Sequence, residues 1–181
     1  MRNLIALLLL IPGCAASNQP AVPPASPAAP PPWSSPTLNR ATVPAVYVAE
    51  WSKAANRATC GLFAFAQSGQ GAGATPRAAT FSGGWAVAYD LPQSRSSFGV
   101  AGTGVNAADS TFSAWPFTRH WSDGSSAGYG PEGGTGPNQL AYLRITGEGC
   151  LYNVWSRIGR EHLELLLEAL RRVNVEHSPN G

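Results

Sequence analysis

Apolar and polar positions recur along the chain with two periods, and these divide it into elements. After Thr42, the residues Tyr47, Trp51, Ala54, Ala55 and Ala58 fall at helical spacing behind an early proline, predicting a helix from about Pro44 to Arg57. Near the other end Leu163, Leu166, Leu167, Leu170 and Val173 form an apolar stripe. Glu161 and Glu164 come early in it and Arg171 and Arg172 late, a charge order that suits the helix dipole and predicts a second helix. Between the two lie apolar runs of strand length at residues 60–66, 85–90, 98–101, 140–146 and 150–156, separated by turn residues. Trp85, Val87 and Tyr89 alternate with Ala86 and Ala88, placing bulk on one face only, as in an antiparallel sheet covered on one side. Gly147, Glu148 and Gly149 join the last two runs closely enough for a hairpin. The expected fold is α+β, a small antiparallel sheet flanked by an N-terminal and a C-terminal helix.

The start of the chain follows another pattern. Met1 and Arg2 make a positive end, and Leu4 to Ile11 an apolar run that reads as an export signal and is too short to span a bilayer. The run leads into Ile11, Pro12, Gly13 and Cys14. These residues resemble the lipobox of bacterial lipoproteins, in which an aliphatic position and a small residue precede a Cys; Ile11 and Gly13 match it, and Pro12 stands where a small residue or Ala is usual. The resemblance implies a signal peptide over residues 1–13, lipidation of Cys14 as the mature N-terminus, and an anchor in a membrane of the bacterial cell envelope. Ala15 after the Cys, where Asp would mark retention, resembles the Gram-negative pattern sorted to the outer membrane, facing the periplasm. Several acyl chains hold a protein more firmly than the marginal binding of one.

Residues 14–41 read as a tether. Eight of the seventeen residues from Pro20 to Pro36 are Pro and the others mostly Ala and Ser, a composition that favours polyproline II over a core. At about 3.1 Å per residue such a tether reaches roughly 50 Å. One globular domain is expected over residues 42–176 and a flexible tail over 177–181. About 135 residues suffice for a real core.

Composition narrows the function. Only 12% of the residues are charged, and the formal net charge is +2 from scattered groups, which argues against nucleic acid as a partner. Twenty Gly and sixteen Pro indicate a loop-rich protein, while 44% hydrophobic residues permit a packed core. Of three Cys, Cys60 and Cys150 form an even pair once Cys14 carries lipid, and an oxidising envelope favours a disulfide between them. Their predicted positions at strand starts suit neighbouring strands of one sheet. Closing so long a loop contributes roughly 4 kcal/mol by the chain-entropy argument.

Several segments carry candidate chemistry. Gly124, Ser125, Ser126, Ala127 and Gly128 match the G-x-S-x-G nucleophile elbow, with His120 and Asp123 near enough to complete a triad, but the flanking residues predict neither the strand nor the helix an elbow needs. Gly69, Gly71 and Ala74, and Gly99, Gly102 and Gly104, are glycine runs without a following helix to hold a phosphate, so the first reads more simply as a surface turn and the second as a turn or a bulged strand end. His120, His162 and His177 are too far apart in sequence to make a metal motif, and no metal or cofactor is expected. Asp90, Asp109, Asp123, Glu132 and Glu148 stand singly, and nothing ranks one acid pair above another. The stretch Trp115, Phe117, Arg119, His120 and Trp121, in a long segment from Thr111 to Pro137 poor in regular structure, combines the side chains that concentrate binding energy. Against that, Trp115, Phe117 and Trp121 alternate as one face of a strand and could fill the core. The leading expectation is a lipid-anchored, non-enzymatic binding module for an envelope protein or a cell-wall glycan. A small serine hydrolase using Ser126 and His120 is the alternative.

Overall fold

Strands dominate the chain because aromatic and β-branched residues recur at alternate positions through its middle, a pattern that buries well on a pleated surface. A computed structural model describes residues 27–69, 73–81, 83–106, 114–133 and 136–175. The lipobox with Cys14, the first part of the tether, Asp109, His177 and the tail lie outside the described residues. In chain order the elements are β1 (Leu38–Asn39), α1 (Ala45–Lys53), β2 (Phe63–Phe65), β3 (Thr75–Ala78), β4 (Trp85–Leu91), β5 (Ser94–Thr103), β6 (Phe117–His120), β7 (Ser126–Pro131), β8 (Gln139–Arg144), β9 (Leu151–Ser156), α2 (Arg160–Ala169) and β10 (Leu170–Asn174).

This corrects the expected α+β layout of a small sheet between two helices. The protein is mostly β: a seven-stranded antiparallel sheet in the order β3-β4-β5-β9-β8-β7-β6, and a three-stranded sheet in the order β1-β10-β2. Both expected helices exist but are shorter. The first ends at Lys53, with turns carrying the chain on to Thr59. The second ends at Ala169, and Leu170 and Val173, which continue its stripe in sequence, point into the core from β10 instead. Three strands, β3, β6 and β7, arise from segments expected as loops.

Along the inner face of the large sheet, Val87, Val100, Val154, Ala141, Tyr129 and Phe117 form one row across six strands. Tyr47 of α1, Leu163, Leu166 and Leu167 of α2, and Phe63, Leu170 and Val173 of the small sheet bury themselves in the same core cluster. Cys60 and Cys150 form a disulfide with Cα atoms 5.3 Å apart. The bridge joins the approaches to β2 and β9, and so ties the two sheets together instead of two neighbours in one sheet. Beside it Glu148, in the β8–β9 hairpin, accepts hydrogen bonds from the Gly61 amide at 2.6 Å and the Tyr152 hydroxyl at 2.8 Å, and pairs with Arg172. Burial, and then the Glu148 carboxylate, push the Tyr152 hydroxyl far above its ordinary pKa, so it stays a donor.

The end of the expected tether is packed on the domain. Trp33 is 5% exposed, meets Trp121 edge-on at 4.8 Å and donates its indole N–H to Asp123 at 3.3 Å. Ala29 accepts from the Ser122 amide at 3.0 Å, and Leu38 and Asn39 pair with β10. No helix among the described residues is long and apolar enough to cross a membrane.

Candidate functional site

The outer face of the large sheet was expected to be bare, yet Ala86, Ala88 and Ala101 are all fully buried. Register explains how. One outer row runs Ala86, Ala101, Asn153, Tyr142, Gly128 and Thr118, and the next runs Arg77, Ala88, Gly99, Trp155, Leu140 and Gly130. Small residues there leave room for large neighbours to lie flat. A Cβ on Gly99 would collide with the Trp155 ring, one on Gly128 would come within 2.8 Å of Trp115, and one on Gly130 would strike Pro116.

Between the Trp155 platform and the β3–β4 loop lies an open cleft of about 500 Å3, within the usual range for small-molecule sites. Trp155, Phe81, Tyr142 and Leu140 supply its apolar surface, and Arg77, Asn153, Glu132 and Arg157 its polar groups. The Phe81 and Trp155 rings are near parallel, 23° apart with centroids at 6.1 Å. The Trp155 indole N–H donates to the Ser96 carbonyl at 3.2 Å, which uses up the ring's only donor and fixes its tilt.

Ser96 is itself held. It has φ of 52°, a left-handed conformation uncommon outside glycine, and its amide donates to Asp90 at 2.7 Å. Arg77 joins the same carboxylate at 2.9 Å and bonds the Ser96 hydroxyl. The Ser96 amide, above all, holds the Asp90 carboxyl below its ordinary pKa; desolvation pushes the other way, and Arg77 adds to the lowering. Asp90, Arg77 and Ser96 thus buttress the Trp155 ring from behind. Burial, reinforced by Glu132, raises the Tyr142 hydroxyl, which remains protonated at neutral pH. Asn153 is 7% exposed, and its Oδ1 has no hydrogen-bond donor.

A larger groove of about 720 Å3 runs along the start of α2, lined by Phe117, Gln139, Ile158, Arg160, His162 and Leu165 among others. Its charged groups mostly satisfy one another. Arg160 lies 3.6 Å from Glu164 and 4.6 Å from the centre of the Phe117 ring, and both His162 nitrogens are bonded within the domain, although the Gln139 Oε1 is left without a donor. The outer cleft combines open aromatic faces with an unpaired amide, and is the stronger candidate.

The sequence-predicted site residues separate. Phe117, Arg119 and Trp121 fall on the inner side of β6 and its continuation, where Phe117 stacks on Tyr129, Arg119 pairs with Glu168 and Trp121 is buried beneath Trp33. Trp115 does not share that face, as alternation suggested, but packs on the outer side against Tyr142 at 5.5 Å. His120 is exposed and opposite Ser126 in the β6–β7 register. Asp123 bonds the Ser125 amide and hydroxyl, each at 2.8 Å, and Trp33, not His120. Ser126 opens a strand, so the G-x-S-x-G stretch is a hairpin and not a strand-to-helix elbow. Among the described residues no three His, Cys, Asp or Glu side chains cluster as a metal site.

Comparison with protein-family models, curated proteins and solved structures finds no match to this chain. The class that fold and site define is a disulfide-stapled, mostly-β domain with an aromatic-floored cleft on the outer face of its large sheet.

Proposed function

We propose that the protein is a lipid-anchored component of the bacterial cell envelope whose domain is a binding module, with the outer-face cleft as its contact site. The cleft carries the reading: a rigidly braced aromatic floor beside a buried amide lacking a partner is an arrangement that a ligand completes. For the anchor, the support is the short apolar run ending at Cys14, the one cysteine of three left outside the disulfide.

Two measurements test it. Intact mass of the membrane-extracted protein should give a chain beginning at Cys14 with added acyl mass; an unlipidated chain overturns the anchor. A photo-crosslinking side chain at Thr80, on the rim of the cleft, should form an adduct in living cells that the same group at Lys53 on α1 does not. Equal labelling at both positions, or none, overturns the module.

The hydrolase reading keeps one observation, the in-register placement of His120 and Ser126 across β6 and β7. It requires that Ser126→Ala abolish turnover of small ester substrates, and unchanged or absent turnover removes it.

A further inference from the structure

The groups lining the cleft divide into two kinds that rarely suit the same ligand. One is a flat, apolar surface: Trp155 lying over Gly99, the near-parallel Phe81 beside it, and Tyr142 and Leu140 along the next strand. The other is planar and polar: the Asn153 carboxamide at the floor, with Glu132, Arg157 and Thr80 on the rim. A purely apolar ligand would leave the Asn153 oxygen as unpaired as it already is and gain nothing from it. A phosphate-rich ligand would need several free cations. Here Arg77 is committed to Asp90 and Ser96, and the lining includes Glu132 as well as Arg157, so it carries little net charge.

The ligand that answers both demands has one apolar face of C–H groups and an edge of hydroxyls, as a pyranose ring does. Because the Trp155 N–H is spent on Ser96, the indole offers only its face and edge, which suits stacking and not hydrogen bonding. The pinned ring loses little rotamer freedom on binding. The donor missing at the Asn153 Oδ1 can be supplied by an amide N–H, while the Nδ2 of the same carboxamide can donate to a neighbouring carbonyl. An acetamido group carries both.

Resting on the binding-module reading, we propose that the outer-face cleft binds a glycan built from N-acetylated amino sugars, with the sugar ring on Trp155 and Phe81 and the acetamido group on Asn153. The open cleft leaves both ends of an oligosaccharide free to continue beyond it.

The probe is the trisaccharide of N-acetylglucosamine, titrated calorimetrically into the full-length protein in detergent, with the trisaccharide of glucose as control. The expected result is saturable binding of the acetylated sugar, at least tenfold tighter than the control. Phe81→Ala and Asn153→Ala should each weaken it at least tenfold with the thermal unfolding midpoint held; Phe81 lies in a loop, so its variant keeps the test alive if Asn153→Ala fails to fold. No saccharide binding, equal binding of the two sugars, or full binding by a folded Phe81→Ala variant overturns the proposal. If the sugars fail while a Thr80 crosslinker still captures a protein in cells, the glycan is wrong and the module stands; if both fail, the module fails with it.

Discussion

At the scale of single residues, the most heavily used side chain is Glu148. Sequence places it in a hairpin turn between two glycines, where an acid reads as a solvated turn residue. In the structure its side chain is only 8% exposed and holds the Gly61 amide, the Tyr152 hydroxyl and Arg172, locking the hairpin to the segment just after Cys60. Glu148→Ala leaves the half-buried Gly61 amide without an acceptor and the Tyr152 hydroxyl with only its longer bond to the Gly61 carbonyl at 3.3 Å, and is expected to cost about 1–3 kcal/mol. Glu148→Gln, which keeps an acceptor but loses the charge facing Arg172, should cost clearly less. Urea unfolding of the two variants checks the order, and equal losses would mean that the ion pair carries the whole effect. The glycines show the same limit of sequence in reverse. Gly99 reads as a turn or a bulged strand end and Gly128 and Gly130 fall in a segment expected as a loop, whereas each sits inside a strand where an aromatic or proline side chain lies across it. Nothing local announces that a residue is absent in order to admit a partner twelve or more positions away. The cleft was therefore illegible, while Trp85, Val87 and Tyr89, whose pattern is local, were placed correctly on the core face.

At the scale of elements, strands with strong alternation were legible and short edge strands were not. β4, β5, β8 and β9 were located, and the last two form the expected hairpin. β7 escaped because Ser-Ala-Gly-Tyr-Gly-Pro carries too few apolar positions to show a period, whereas at β6 the alternation of Phe117 and Trp121 was visible and Trp115 departs from it. The C-terminal stripe misled for another reason: Leu163, Leu166, Leu167, Leu170 and Val173 satisfy helical spacing, but β1 and β2 leave a slot between them that residues 170–174 fill as a strand. Tertiary pairing overrides a helical pattern that lacks a Gly or Pro stop. Near the start of α2 the packing is pH-sensitive. His162 is buried against Phe98, with Nε2 2.7 Å from the Ser68 carbonyl, where it must donate, and Nδ1 2.9 Å from the Ser156 hydroxyl, where it accepts. Burial lowers its pKa below the ordinary 6.5, outweighing the upward pull of Ser68. Above that value the imidazole is neutral in folded and unfolded chains alike, and stability is complete. As pH falls below about 6.5 the unfolded chain takes up the proton first, so stability declines until the lowered folded pKa is passed. The loss from Asp90, whose folded pKa is also depressed, belongs to a separate window below about 4. Urea midpoints should therefore drop between pH 8 and 5.5, with the slope removed in a His162→Gln variant. A flat wild-type profile would refute the assignment.

For the whole molecule the question is where the folded body begins, since that sets how far it stands from the membrane to which Cys14 would tie it. Composition put the start at Thr42, because a run with eight prolines cannot build a core. Proline-rich chain can still be pinned to a core built by others, and Trp33 does this. Its ring covers Trp121, its N–H reaches Asp123, the chain just before it bonds Ser122, and the chain after it adds β1 to the small sheet. With an anchor at Cys14, about fourteen residues would separate it from Ala29, and at about 3.1 Å per residue such a stretch would reach roughly 40 Å where the sequence alone suggested roughly 50 Å. Removing residues 1–28 should leave the thermal midpoint unchanged, because among the described residues the first bond to the domain is at Ala29. Removing residues 1–36 takes Trp33 as well, and should cost about 3 kcal/mol, as a buried indole truncated to nothing exposes Trp121 and leaves a hollow. Trp33→Ala in the full chain should reproduce most of that loss, which separates the side chain from the segment carrying it. If both truncations melt together with the full chain, residues 29–36 belong to the tether after all, and the domain hangs from its anchor on the longer reach.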